Sequence, residues 1–85
     1  MYLHIGEETV IPMREIVGIF DMENTTISKT TRTLLSEAER QGRVITVGND
    51  LPKSFVVCQK GDEPPLVYIS QISCATLLKR AKSYK

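Results

Sequence analysis

The sequence predicts a small α+β domain: mainly antiparallel, about six short strands and two helices, in the order βββ-α-βββ-α. Three observations carry this expectation. Short runs of β-branched residues recur between clusters of Gly, Pro, Asn and Asp, which is strand and turn chemistry. One stretch near the middle, and another near the C-terminal end, instead repeat their apolar residues at helical spacing. With 85 residues the chain is one domain, 1–85.

The elements follow in order. Tyr2–Ile5 is β-prone and ends at Gly6, and Thr9–Ile11 is closed by Pro12. The polar turn between them makes the pair a hairpin. Glu15–Phe20 is rich in β-branched residues and too short for a helix, so it reads as a third strand stopped at Asp21. Asn24 to Ser28 offers several helix N-caps, and Ile27, Thr31, Leu34, Leu35 and Ala38 then form one apolar stripe. The helix is expected from Ile27 to Gln41, with Gly42 in the left-handed position that ends it. Val44–Val47 is a strand, and Gly48-Asn49-Asp50-Leu51-Pro52 is a turn. Ser54–Cys58 is nearly continuous in apolar residues, as a central strand covered on both faces would be. Gly61–Pro65 is a loop, and Leu66–Ser70 returns as the partner strand. Ser73 caps a last helix expected to bury Cys74, Leu77, Leu78 and Ala81 and to expose Lys79, Arg80 and Lys82.

Composition narrows the function classes. The chain is 41% hydrophobic and 25% charged, ordinary for a globular protein and unlike a disordered one. No apolar run approaches the roughly 18 residues that span a bilayer. Met1-Tyr2-Leu3-His4 lacks the basic and apolar segments of an export signal, so a cytoplasmic protein with no membrane partner is expected. Cys58 and Cys74 form neither a CxxC pair nor a zinc spacing and read as reduced core residues. So short a chain buries a modest fraction of its surface, and oligomerisation is a common remedy.

Little in the sequence suggests catalysis. His4 is the one histidine, and no nucleophile or orienting partner is nominated for it. Phosphate-loop, dinucleotide, metalloprotease and calcium-loop patterns are missing. The single glycines lie beside turns or in strands, and Glu7 and Glu8 sit in a tight turn where solvation explains them. A non-enzymatic protein is expected, with no cofactor, no metal and no evident small-molecule substrate.

The basic residues remain. The net charge is only +1, but its distribution is uneven. Residues 1–27 carry Arg14 against Glu7, Glu8, Glu15, Asp21 and Glu23, while all other Lys and Arg lie in residues 28–85. Such a split is read first as a simply solvated surface, with opposite acidic and basic faces as the other reading. Lys29, Arg32 and Arg40 form a row on the first helix, and Lys53 follows a turn at the start of a strand, where a side chain projects well. Lys79, Arg80, Lys82 and Lys85 crowd the C-terminus, as phosphate contacts or as a solubilising tail. The aromatic residues are not interleaved with basic ones, so a stacking platform for single strands is not expected.

Several segments carry a likeness. They are Met1-Tyr2-Leu3-His4-Ile5-Gly6, Arg14-Glu15-Ile16-Val17-Gly18-Ile19-Phe20-Asp21, Ser36-Glu37-Ala38-Glu39-Arg40-Gln41-Gly42, Pro52-Lys53-Ser54-Phe55-Val56-Val57 and Leu77-Leu78-Lys79-Arg80-Ala81. In this order and spacing the chain resembles the bacterial extracellular matrix regulators RemA and RemB, with RemB the nearer. The resemblance implies a DNA-binding activator of biofilm-matrix genes, assembled as a homo-oligomeric ring with double-stranded DNA on its rim. RemA-like chains carry an arginine pair in the loop before the fifth strand, tied to DNA binding. Here that loop reads Asn49-Asp50-Leu51-Pro52-Lys53, and only Lys53 keeps a positive charge. They also carry Arg where this chain has Glu15, with Arg14 beside it. The expected DNA contacts are Lys53, Arg32, Lys29 and Arg14, with either the loop at 49–53 or the helix at 27–41 facing DNA. The alternative is an oligomerising protein–protein module that binds no DNA directly.

Overall fold

A computed structural model describes residues 1–22 and 28–82. The expected order holds: β1 (Tyr2–Gly6), β2 (Thr9–Pro12), β3 (Ile16–Asp21), α1 (Lys29–Arg40), β4 (Val44–Thr46), β5 (Ser54–Cys58), β6 (Leu66–Ser70) and α2 (Cys74–Lys82). Met13–Glu15 is a 3₁₀ turn, so Glu15 precedes the third strand and does not open it. The expected cap residues Asn24–Thr26, the stripe residue Ile27, and Tyr84 and Lys85 lie outside the described residues.

Local chemistry places the helix ends. The Thr31 amide donates to Ser28 Oγ at 3.2 Å, satisfying an orphan donor of α1. Gly42 follows the helix with φ +71°. At α2 the Thr76 amide donates to Ser73 Oγ, also at 3.2 Å. No helix among the described residues is long and apolar enough to cross a membrane.

The six strands form two sheets. β1 and β2 make a separate antiparallel hairpin, and the larger sheet has the order β3-β5-β6-β4. Its β3–β5 and β5–β6 pairs are antiparallel, whereas β4 lies parallel to β6 at one edge. β5 is buried throughout, because its alternating side chains serve two cores. Val56 and Cys58 pack with Leu3, Ile5, Ile11, Val47 and Leu77, beneath the hairpin and α2. Phe55 and Val57 pack with Ala38 and Val67, beneath α1. The result is three layers: hairpin and α2, sheet, α1. Each fully buried Val, Leu, Ile or Phe contributes about 1.5–3 kcal/mol relative to exposure.

Two irregularities matter. The β3–β5 register shifts between Ile16 and Gly18, leaving Val17 as the extra, exposed residue of a bulge. The bulge lets Ile16 and Ile19, three residues apart, both pack on the hairpin side. Phe20 lies opposite Phe55, their rings stacked at 4.9 Å and 11°. The Phe20 ring also covers Gly18, where a Cβ would sit 2.7 Å from Phe20 Cε1, so a side chain there would have to displace the ring.

Two expectations for the last helix are corrected. Leu77 is fully buried and Cys74 and Ala81 are partly buried, but Leu78 is 45% exposed. Arg80 is not a free surface cation. It folds back onto β1 and donates to the His4 carbonyl at 3.0 Å.

Candidate functional site

The loop between β4 and β5 lies across the C-terminal end of β6. Its ends are tied by backbone bonds: the Val47 amide donates to Ile69 O at 2.8 Å and the Lys53 amide to Ser70 O at 2.9 Å. The Lys53 carbonyl accepts from the Met22 amide at 3.0 Å, just after β3. In the middle, the Asp50 amide donates to Gln71 Oε1 at 3.1 Å. Gly48 takes φ +89°, and its Cα lies so close to the Gln71 amide that a Cβ would sit 2.6 Å from Gln71 Cδ. The positive φ favours glycine there, and any side chain would have to push the Gln71 amide aside.

The support continues below. Ser70 is fully buried, and its hydroxyl donates to Ile5 O at 2.6 Å while accepting from the Ile72 amide at 3.0 Å. Ser54, where β5 begins, donates to Ile72 O at 2.7 Å. Lys53 thus has an exposed side chain on a backbone bonded to β6 and to the end of β3. Leu51, 74% exposed, stands beside it, and the two line a shallow depression of about 340 Å³ with Asp50, Gln71 and Ile72. Sequence reasoning missed Ser70 and Gln71, since neither belongs to a motif and both act across long sequence separations.

Lys29 and Arg32 lie one turn apart on the exposed face of α1. They line an open depression of about 490 Å³ with Thr33, Ser36 and Glu37. Glu37 pairs with Arg40, so this face carries mixed charge. Arg14 is exposed on the 3₁₀ turn before β3. Because Ile16 pairs with Cys58 and Asp21 with Ser54, Arg14 and Lys53 sit beyond opposite ends of the β3–β5 pair, with a strand length of roughly 17 Å between those ends. One molecule therefore does not gather Arg14 and Lys53 into one patch.

A further depression of about 310 Å³ is lined by Glu15, Arg43, Lys60, Glu63 and Tyr68, with Cys58 among its walls. Arg43 is already engaged, donating to Pro64 O at 3.3 Å and Gln41 Oε1 at 3.2 Å. Burial first, and then the Glu15 carboxylate, push the Cys58 thiol up to about 11. Burial, then Cys58 and Glu15, raise Tyr68 as well. Such a thiol stays protonated and unreactive near neutral pH. Cys74 is also free, and burial followed by Asp21 raises it. His4 is engaged at both ring nitrogens: Nε2 donates to Glu7 O at 2.5 Å, and Nδ1 faces the Arg80 guanidinium at 3.4 Å. Among the described residues no three His, Cys, Asp or Glu side chains gather as a metal site.

The family described as RemA-like, "Extracellular matrix regulatory protein A-like", matches residues 2–81. The chain belongs to the RemA-like family. It is also 35% identical over 82 residues to "Extracellular matrix regulatory protein B" of Bacillus subtilis (strain 168), covering 96% of this chain and 91% of that protein. The RemA-like match spans the hairpin, the sheet and both helices, so the Lys53 loop and the α1 face both lie within it.

Proposed function

We propose that this RemA-like protein is a non-enzymatic transcriptional regulator of extracellular-matrix genes, working in the cytoplasm as a homo-oligomeric ring that binds double-stranded DNA. The observation that carries the reading is Lys53: an exposed cation whose amide is bonded to β6 and whose carbonyl accepts from Met22, just after β3. A cation on a rigid element meets a phosphate without first having to order its backbone. Family membership supports the regulatory role, and the family likeness supports DNA as the target.

The sheet supports assembly. Its two edges are different surfaces, β3 with Val17 65% exposed and β4 with Ile45 42% exposed. Joining one edge to the other in the next copy is a head-to-tail contact, which closes into a ring when the rotation fits. A ring also answers the low net charge. One Lys53 per copy binds weakly, but repetition around a rim raises binding through effective concentration. It would further allow Arg14 of one copy to approach the loop of another, which a single copy does not permit.

The test is a DNA titration of folded, assembled variants at fixed salt, with mass measured by light scattering. The parent is expected to exceed its 9.6 kDa monomer mass and to bind duplex DNA with a negative log–log salt slope. Lys53→Glu weakens binding by more than one charge would suggest, and Asp50→Arg strengthens it. If Lys53→Glu binds as the parent does while Arg32→Glu or Lys29→Glu does not, the DNA surface is α1 and the loop assignment fails. An assembled parent without salt-dependent binding leaves the protein–protein module as the reading. A monomer at all concentrations refutes the ring.

A further inference from the structure

We propose that Gln71 is the positioning residue of the 48–53 loop, its side-chain amide fixing the segment that stands beside the backbone-anchored Lys53 where DNA would bind. The inference rests on the reading of Lys53 as a DNA contact. Three consecutive residues at the end of β6 hold the loop: the Ile69 carbonyl takes the Val47 amide, the Ser70 carbonyl takes the Lys53 amide, and Gln71 Oε1 takes the Asp50 amide between them. The first two ties are backbone bonds that most substitutions would leave in place. The third is supplied by one side chain.

Packing reinforces that tie. Gly48, with φ +89°, leaves the space into which the Gln71 amide fits. Pro52 limits the backbone just before Lys53 and donates no hydrogen bond of its own. Among the described residues, 48–52 therefore hang between two anchors with one side-chain support at their mid-point. Without Gln71 the Asp50 amide, which is exposed, turns to water at little cost in stability. The loop gains conformations, and binding must then order it again. The same support sets where the Asp50 charge, repulsive to phosphate, stands relative to Lys53.

The test compares Gln71→Met, which keeps the length and loses the acceptor, with Lys53→Ala and the parent. All are used as full chains with a duplex DNA probe. Amide exchange by NMR and DNA titration across several salt concentrations are the readouts. Gln71→Met is expected to speed exchange at the Asp50 amide, leave the Lys53 amide protected, and weaken DNA binding about three- to tenfold with an unchanged salt slope. Lys53→Ala is expected to reduce the salt slope and leave Asp50 exchange as it was. Gly48→Ala, which drives the amide out of its space, gives a second route and the Gln71→Met pattern. Unchanged Asp50 exchange in both Gln71→Met and Gly48→Ala overturns the support. Faster Asp50 exchange with parental DNA affinity overturns positioning, while a weak Lys53→Ala still upholds the DNA contact. A parent that does not bind DNA overturns both the DNA reading and the positioning role, even if Asp50 exchange shows the loop to be held.

Discussion

Ser70→Ala removes one oxygen that joins three elements. Ile5 sits where the β1–β2 register shifts between His4 and Gly6 and has no pairing partner of its own. Its carbonyl accepts the Ser70 hydroxyl at 2.6 Å, and the same oxygen takes the Ile72 amide at 3.0 Å. Both Ile5 and Ser70 are 0% exposed, so water cannot replace the lost donor. A buried carbonyl left unsatisfied costs about 1–3 kcal/mol, and the Ile72 amide adds about 1 kcal/mol. Removing a buried hydroxyl returns part of this, for a net loss of about 2–3 kcal/mol. In a domain of this size that lowers Tm by roughly 10–20 °C. Urea and thermal unfolding, followed by circular dichroism at one fixed protein concentration, measure it. Ser36→Ala, on the exposed face of α1, serves as the control and should stay within about 0.5 kcal/mol. A Ser70→Ala loss no larger than the control's would refute the argument that this hydroxyl ties the hairpin to the sheet.

Gly18→Ala should destabilise by about 1–2 kcal/mol, because its Cβ displaces the Phe20 ring from its stack on Phe55; a stability equal to or above the parent's in urea melts contradicts this. Cys58 holds its proton more tightly folded, at about 11, than at its ordinary 9.0. The stability it contributes is full below pH 9 and is lost as pH rises from about 9 towards 11. The parent's stability should fall more steeply over that window than that of Cys58→Ala, and matching slopes would remove this role. Cys58→Ala and Cys74→Ala together should cost stability by packing alone, on the order of 1 kcal/mol each. A folded double variant that no longer assembles or binds DNA would show a functional thiol.

Much of this fold is written locally. Ser28, Ser73 and Gly42 mark helix ends through bonds and backbone angles that span only a few residues. The apolar run of β5 announces a strand buried on both faces, and it is one. The likeness that led to the RemA-like family also lay in the order of short segments. Lys53, too, could be singled out as a projecting cation after a turn. What held that cation could not. The Asp50–Gln71 bond spans 21 residues and the Ser70–Ile5 bond spans 65, and nothing near either residue in the chain signals the partner. The division into a hairpin and a four-stranded sheet, and the parallel placement of β4, depend on which strands meet once the chain has collapsed. The exposure of Leu78 and the return of Arg80 onto His4 have the same origin. Helical periodicity says which side of α2 is apolar, but how far that side extends under cover is set by the strands it meets. Element identity followed from propensity and capping within a few residues; pairing, burial at the rims and the support of the loop came from contacts between residues far apart in the chain.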